Sequence, residues 1–461
     1  GGTVIVWADD TTRAYGKISA RGGALGGNGG FVETSGKSYL AVDGINVDTR
    51  APQGNTGTWL LDPSEIFIYG GAPNTAVPTT VNSNPIGILT TEYTTAALNG
   101  SSTISDTTIN TMLSTTDVII HTAGGTGGNG NINVTNANIS KPVGGMALTL
   151  SAYGGGAATG NIIITNSNIN VRDGVTLLAG WTGVMPPYGA DGNTLSSVDV
   201  INGKGDIIIA GSMIQSSEWA VNLWAGKDIT LTNSGTMGTL IQAATMDVRA
   251  GNNLILIGGD TASGPQGPGV MLHNWGTEGS QTITAGNQIL LQAGSTNNTF
   301  GGSPFYGGSV AIVSDAAQTV SANTIRVLAG VSGHDNGAEI QAYGSQTINI
   351  TGTGGLLEVK GGGSAGSYNN QARVQHGNYG PYGGSVVYGA GVQVVNINGG
   401  GSVNIYAGSG TGLNGYYDFE CGIACSGTSS SNSAEIDNLI GSQTLNFTPG
   451  GSLTITGGSA G

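Results

Sequence analysis

Asp9 and Asp10 form the one adjacent acidic pair in the chain. Paired carboxylates are what glycoside hydrolysis uses, one to protonate the leaving oxygen and one to activate water or attack. Here the pair follows the apolar run Thr3-Val-Ile-Val-Trp-Ala8 with no basic partner placed beside it, so it reads as a polar turn. The histidines, His121, His273, His334 and His376, are far apart in sequence and read as solvated loop residues. Cys421 and Cys425 are spaced for a tight disulfide or half of a zinc site, and can equally be two unrelated buried thiols. A second pair of zinc ligands is missing nearby, so no metal site is assigned. Gly-rich stretches at 22–30 and 124–130 run into strand-like sequence. A phosphate loop needs a helix start behind it, so these are expected to be chain corners. No HExxH, calcium nonapeptide or nucleophile elbow in a strand-to-helix context occurs, and no cofactor is expected. Sequons at Asn99, Asn133, Asn138, Asn297, Asn349 and Asn446 are mostly what a sequence rich in Asn, Ser and Thr produces by chance. The recognition candidates are aromatic residues in presumed loops: Trp181, Tyr188, Trp275, Tyr306, Tyr379, Tyr382, Tyr416 and Tyr417. Exposed Trp and Tyr stack on sugar rings or anchor a protein contact. The competing reading has them covering strand edges.

These residues hang on a repeating phrase of alternating β-formers ended by Ala-Gly or Gly-Gly. It occurs at Val175–Gly180, Val221–Gly226, Met246–Gly251, Ile289–Gly294, Ile325–Gly330, Leu357–Gly362, Val403–Gly408 and Leu453–Gly458. A second phrase, Gly-Ser-Gln-Thr, stands at 279–282, 344–347 and 441–444, with a variant at Ala317-Gln-Thr-Val320. It precedes the first phrase by one short strand, so the unit reads as two strands, two turns and a variable loop. Asn131–Ile139 and Asn161–Ile169 are near copies. Short strands recurring at irregular spacing predict a parallel β-solenoid with side loops. Inward columns should be Val, Ile and Leu, while outward Thr, Asn, Ser and Gln stack into amide ladders. At roughly 20–25 residues per rung, about 20 rungs would make a rod of about 90–100 Å.

Three segments divide the chain: rungs over 1–70, an excursion outside the solenoid over 71–117, and rungs with variable loops over 118–461, all on one continuous solenoid. The excursion holds a single helix candidate, Asp106–Leu113, capped by Ser105 or Asp106 and turning Ile109, Met112 and Leu113 to one face.

Glycine supplies 85 of 461 residues, but the repeated β-runs separate the chain from disordered sequences of similar composition. With 13 Lys and Arg against a net charge of -14, a nucleic-acid partner is not expected. An acidic, polar surface suits a soluble extracellular protein. No apolar run reaches the roughly 20 residues of a spanning helix, and no signal peptide is seen. Both ends fall inside the repeat pattern, so the chain reads as a piece of a longer protein.

Gly2-Thr-Val-Ile-Val-Trp-Ala-Asp-Asp10, Gly16-Lys-Ile-Ser-Ala-Arg-Gly-Gly23, Gly29-Gly-Phe-Val-Glu-Thr-Ser-Gly36 and Gly57-Thr-Trp-Leu-Leu-Asp-Pro63, in this order, resemble the filamentous-haemagglutinin-like exoproteins of bacterial two-partner secretion. Ile104–Leu113 and Gly130–Val134 continue the likeness, which is specific over residues 1–135 and generic beyond. The resemblance implies a right-handed parallel β-helix, secreted to the extracellular space or outer-membrane surface of a Gram-negative bacterium by an outer-membrane partner. It implies an adhesin and no enzyme. The secretory setting favours the Cys421–Cys425 disulfide, and some relatives use such a pair near the C-terminus to tether to the secretion partner.

The expected function is thus an adhesin shaft presenting loops to cells, surfaces or matrix through a host-cell, surface or glycan receptor. A filament subunit that self-associates end to end is the alternative, and a polysaccharide-active enzyme the third.

Overall fold

The computed structural model describes residues 1–71, 77–81, 90–94, 102–123, 128–144, 146–183, 200–234, 237–260, 269–295, 308–333, 336–363, 370–377, 391–408, 432–438 and 441–457. The protein is a parallel β-helix, with parallel sheets of 13, 14 and 9 strands and a single helix among these residues. The chain visits a first, second and third face in turn, one strand on each, before pairing with the coil before it. The unit therefore has three strands. The third lies hidden in stretches that read as loops: Val270–Asn274, Val310–Ser314, Ala338–Ala342, Ala372–His376 and Ala434–Asn438. Three strands and their corners use more residues per coil, so 13 strands stack on the first face where about 20 rungs were expected.

Two units make up the chain: one is residues 1–201 apart from 164–166 and 174–176, and the other is those residues with 202–461. In the first, the third face begins with Lys17–Ser19 beside Asn46–Asp48. The helix Asp106–Met112 then packs against Asn46–Asp48 and against Asn138–Lys141. Its cap is Ser105, whose Oγ accepts the Thr108 N–H at 3.2 Å, and Ile109, Met112 and Leu113 are fully buried. Strand Ser102–Ser105 lies between Tyr39–Ala41 and Ile66–Tyr69 in the second face. The segment read as an excursion thus returns a strand to the wall. Asp43 fixes the entry, accepting the Ser105 N–H, the Ser105 and Thr108 hydroxyls and the Tyr69 hydroxyl at 2.6–2.9 Å. Val77–Val81 and Thr90–Thr94 form an antiparallel pair. The near copies Asn131–Ile139 and Asn161–Ile169 each bend into two strands. The bends stand at Asn136 (φ 51°) and Asn166 (φ 49°), left-handed positions that Asn tolerates.

In the second unit the alternation of buried and less buried residues aligns into columns. On the second face Ile229, Leu254, Ile289, Ile325, Leu357 and Val403 stand in register. On the third, Ile241, Leu272, Ile312, Ile340 and Val374 do the same. All are fully buried, each worth about 1.5–3 kcal/mol of apolar burial.

Candidate functional site

Four consecutive coils of the second unit carry the same device at the corner between second and third faces. The Gly294 N–H donates to Gly308 O, Gly330 to Asn336, Gly362 to Asn370 and Gly408 to Asn432, all at 2.7–2.9 Å. Between these partners lie segments of quite different length: 295–307, 331–335, 363–369 and 409–431. Each is pinched at its base by one hydrogen bond, so insertions of any length leave the coil below undisturbed. The asparagines also chain along the corner. Asn370 Oδ1 accepts the Asn336 N–H at 2.9 Å, and Asn432 Oδ1 accepts the Asn370 N–H at 3.1 Å. The glycines are required by close stacking. A Cβ at Gly330 would come within 2.1 Å of Gly294 O, and one at Gly362 within 1.8 Å of Gly330 O.

The Ala-Gly phrase occupies two corners. Gly226 and Gly251 turn from first to second face, while Gly294, Gly330 and Gly408 turn from second to third. The alternating strand and close turn are the same physical problem at both places, which is why one motif serves.

The Gly-Ser-Gln-Thr phrase has an unexpected role. Its glutamines point inward. Gln281, Gln318 and Gln346, with Gln393 from Gly-Val-Gln-Val, are buried in one column; the Nε2 groups of Gln318, Gln346 and Gln393 each donate to the Oε1 of the preceding Gln at 2.7–2.8 Å, and Gln443 extends the chain at 2.5 Å. The same amides donate across to third-face carbonyls, including Val313 O at 3.0 Å, Gln341 O at 2.9 Å and Gln375 O at 3.1 Å. The ladder thereby ties the first face to the third from inside, an arrangement that leaves few amide groups unmatched. The expected outward ladder exists as well, in Asn349, Asn396 and Asn446, linked at 2.9 Å.

Among the candidate recognition residues, Trp181 is not on a loop. It ends strand Val175–Trp181, is 4% exposed, and its ring lies 4.2 Å from that of His121. Trp275 is 41% exposed at the corner between third and first faces. Tyr188, Tyr306, Tyr379, Tyr382, Tyr416, Tyr417 and the Cys421–Cys425 pair lie outside the described residues. Trp219, 49% exposed, occupies the same kind of corner as Trp275 and was missed, because Ser-Glu-Trp-Ala carries no loop signature. Trp224 lies under the Arg249 guanidinium, 4.7 Å from the ring centre.

His121, His273 and His376 are strand residues rather than solvated loop residues. His121 and His376 are buried, and His273 is half-buried with its ring nitrogens 3.2 Å from Gln242 Nε2 and Asp315 Oδ1; His334 lies outside the described residues. Burial pushes the His121 pKa down to about 3. Burial pushes Asp117 up to about 7, and pushes Asp62 up to about 6 with help from Glu33. The Arg50 guanidinium, bonded at 2.7 and 2.9 Å, holds Asp48 down to about 2. Asp9 and Asp10 stand on an exposed bend directly after strand Thr3–Ala8. Among the described residues no three His, Cys, Asp or Glu side chains are grouped to hold a metal ion, and no helix is long and apolar enough to cross a membrane.

No protein-family model matches the chain, and no curated protein matches it.

Proposed function

We propose that the chain is part of the shaft of a secreted bacterial surface adhesin. It would leave the cell through an outer-membrane partner and attach to cells, surfaces or matrix without chemistry. The observation that carries this reading is the row of clamped stems at Gly294, Gly330, Gly362 and Gly408. A wall that holds constant spacing while inserts at one corner vary is suited to displaying recognition loops. The phrases shared with filamentous-haemagglutinin-like exoproteins over residues 1–135 support the same reading.

The test is attachment. Beads coated with the purified chain should bind epithelial cells or a matrix-coated surface above albumin-coated beads. A variant with 296–307, 364–369 and 410–430 each replaced by a Gly-Ser turn should keep its circular dichroism and lose most of the attachment. Failure of the intact chain to attach to any surface would refute the reading. Release of reducing ends from a polysaccharide panel would move the answer to an enzyme.

A further inference from the structure

Two exposed indoles share one edge of the second unit. Trp219 follows strand Met213–Ser216 and precedes Ala220–Ala225; Trp275 follows Val270–Asn274 and precedes Ser280–Ala285. Both positions are corners between third and first faces. Strand register places them two coils apart, through Ala243 beside Asn274 and Ala220 beside Thr245. At the strand spacing of a sheet this separation is about 9.6 Å along the coil axis. The intervening coil has the single small residue Ala244 at this corner.

Both corners are fixed. The Trp219 N–H donates to Ser216 Oγ at 3.1 Å, and the Trp275 N–H donates to Ala243 O at 3.0 Å. Buried Asn274 donates its amide to the Ala244 carbonyl. A Cβ at Gly279 would come within 1.9 Å of Ala244 O, so this corner is pressed onto the coil beneath it. Each indole also has an exposed carboxylate near it in the turn, Glu218 and Glu278.

From this pairing we infer that the Trp219–Trp275 edge binds an extended, uncharged polysaccharide running along the coils, with alternate sugar rings stacked on the two indoles. Apolar sugar faces pack on aromatic rings. Two rungs is the reach of alternate rings in an extended pyranose chain. Glu218 and Glu278 disfavour sulfated or uronic chains, because like charges at a contact cost affinity. The inference rests on the adhesin reading and supplies it with a ligand class.

Titration of the intact chain with cellohexaose, xylohexaose and N-acetylchitohexaose, followed by tryptophan fluorescence and calorimetry, tests it. At least one should bind, its dimer should bind at least about tenfold more weakly, and heparin and hyaluronan fragments should not bind. Trp219→Ala and Trp275→Ala should each cost about tenfold in affinity, as buried aromatic anchors do. The double variant should abolish binding, while Trp7→Ala, exposed at the far end of the sequence, should leave it unchanged. Binding untouched by the double variant, or preferred binding of heparin, overturns the inference. If no neutral hexasaccharide binds yet coated beads still attach to cells, the glycan inference falls and the adhesin reading stands; if neither occurs, both fall.

Discussion

Gln346 is the central member of the internal ladder, and Gln346→Met cuts it with little change of shape. Methionine already fills this column at Met246, in register with Gln281. The substitution removes donations to Gln318 Oε1 at 2.8 Å, Ile340 O at 3.3 Å and Gln375 O at 3.1 Å, and the acceptor for Gln393 Nε2 at 2.7 Å. Gln393 keeps Val374 O at 3.2 Å, whereas Gln318 Oε1 loses its donor in a buried site. A buried polar group left unmatched costs about 1–3 kcal/mol, and the remaining lost bonds add about 1 kcal/mol net. The expected loss is therefore about 2–4 kcal/mol. Native-state hydrogen exchange reads it locally, as amides of Gln346–Ile350, Ala317–Ala322 and Val392–Ile397 exchanging about thirtyfold to several hundredfold faster. Asn396→Ala cuts the outward ladder, where water replaces the lost bonds, and should cost less than about 1 kcal/mol. Equal effects of the two variants, or unchanged exchange in Gln346→Met, would refute the claim that the inward ladder ties the faces together.

Other expectations follow from the same geometry. The native pKa of Asp117, about 7, lies above its ordinary value of 3.8, so its contribution is present below about pH 4 and lost as pH rises through 7. Asp117→Asn keeps an acceptor for the Ala147 N–H at 3.0 Å; it should be more stable than the parent by about 2 kcal/mol at pH 8 and equal to it at pH 4, by denaturant titration. His121 has the opposite sign: its native pKa of about 3 lies below 6.5, so its contribution is present above pH 6.5 and lost as pH falls toward 3. His121→Phe should flatten the melting temperature between pH 6.5 and 4 relative to the parent. Gly362→Ala drives a Cβ to within 1.8 Å of Gly330 O and should cost more than about 2 kcal/mol in the same denaturant assay, because the obstacle is backbone.

The fold was legible because coil stacking repeats the same local problem. The apolar run Thr3–Ala8 is a strand over those same residues, and the helix at Asp106–Met112 with its Ser105 cap matches its pattern. The third strand of the later coils was not legible. Strands such as Ala338–Ala342 and Ala372–His376 mix Glu, Arg, Gln and His with small residues, and nothing in that composition separates them from a loop. The tryptophan edge was half legible: Trp275 stands in a glycine-rich turn, whereas Trp219 follows Ser-Ser-Glu without a break. His121 and Trp181 were misplaced because they are far apart in sequence and meet only once the coils stack.

The amino-acid sequence by itself determined that this chain coils in β-strands with glycine corners, since alternation and Ala-Gly turns are properties of a few adjacent residues. The tertiary structure decided which way each polar column points. Gln346 and Asn349 are both amides of one strand, yet Gln346 is buried and Asn349 lies on the outer side. Which side of a strand faces inward depends on register with the coil below and on what the opposite face offers as partners. Neither quantity is local, so the inner ladder, the row of loop stems and the paired indoles come into being only when the coils are stacked.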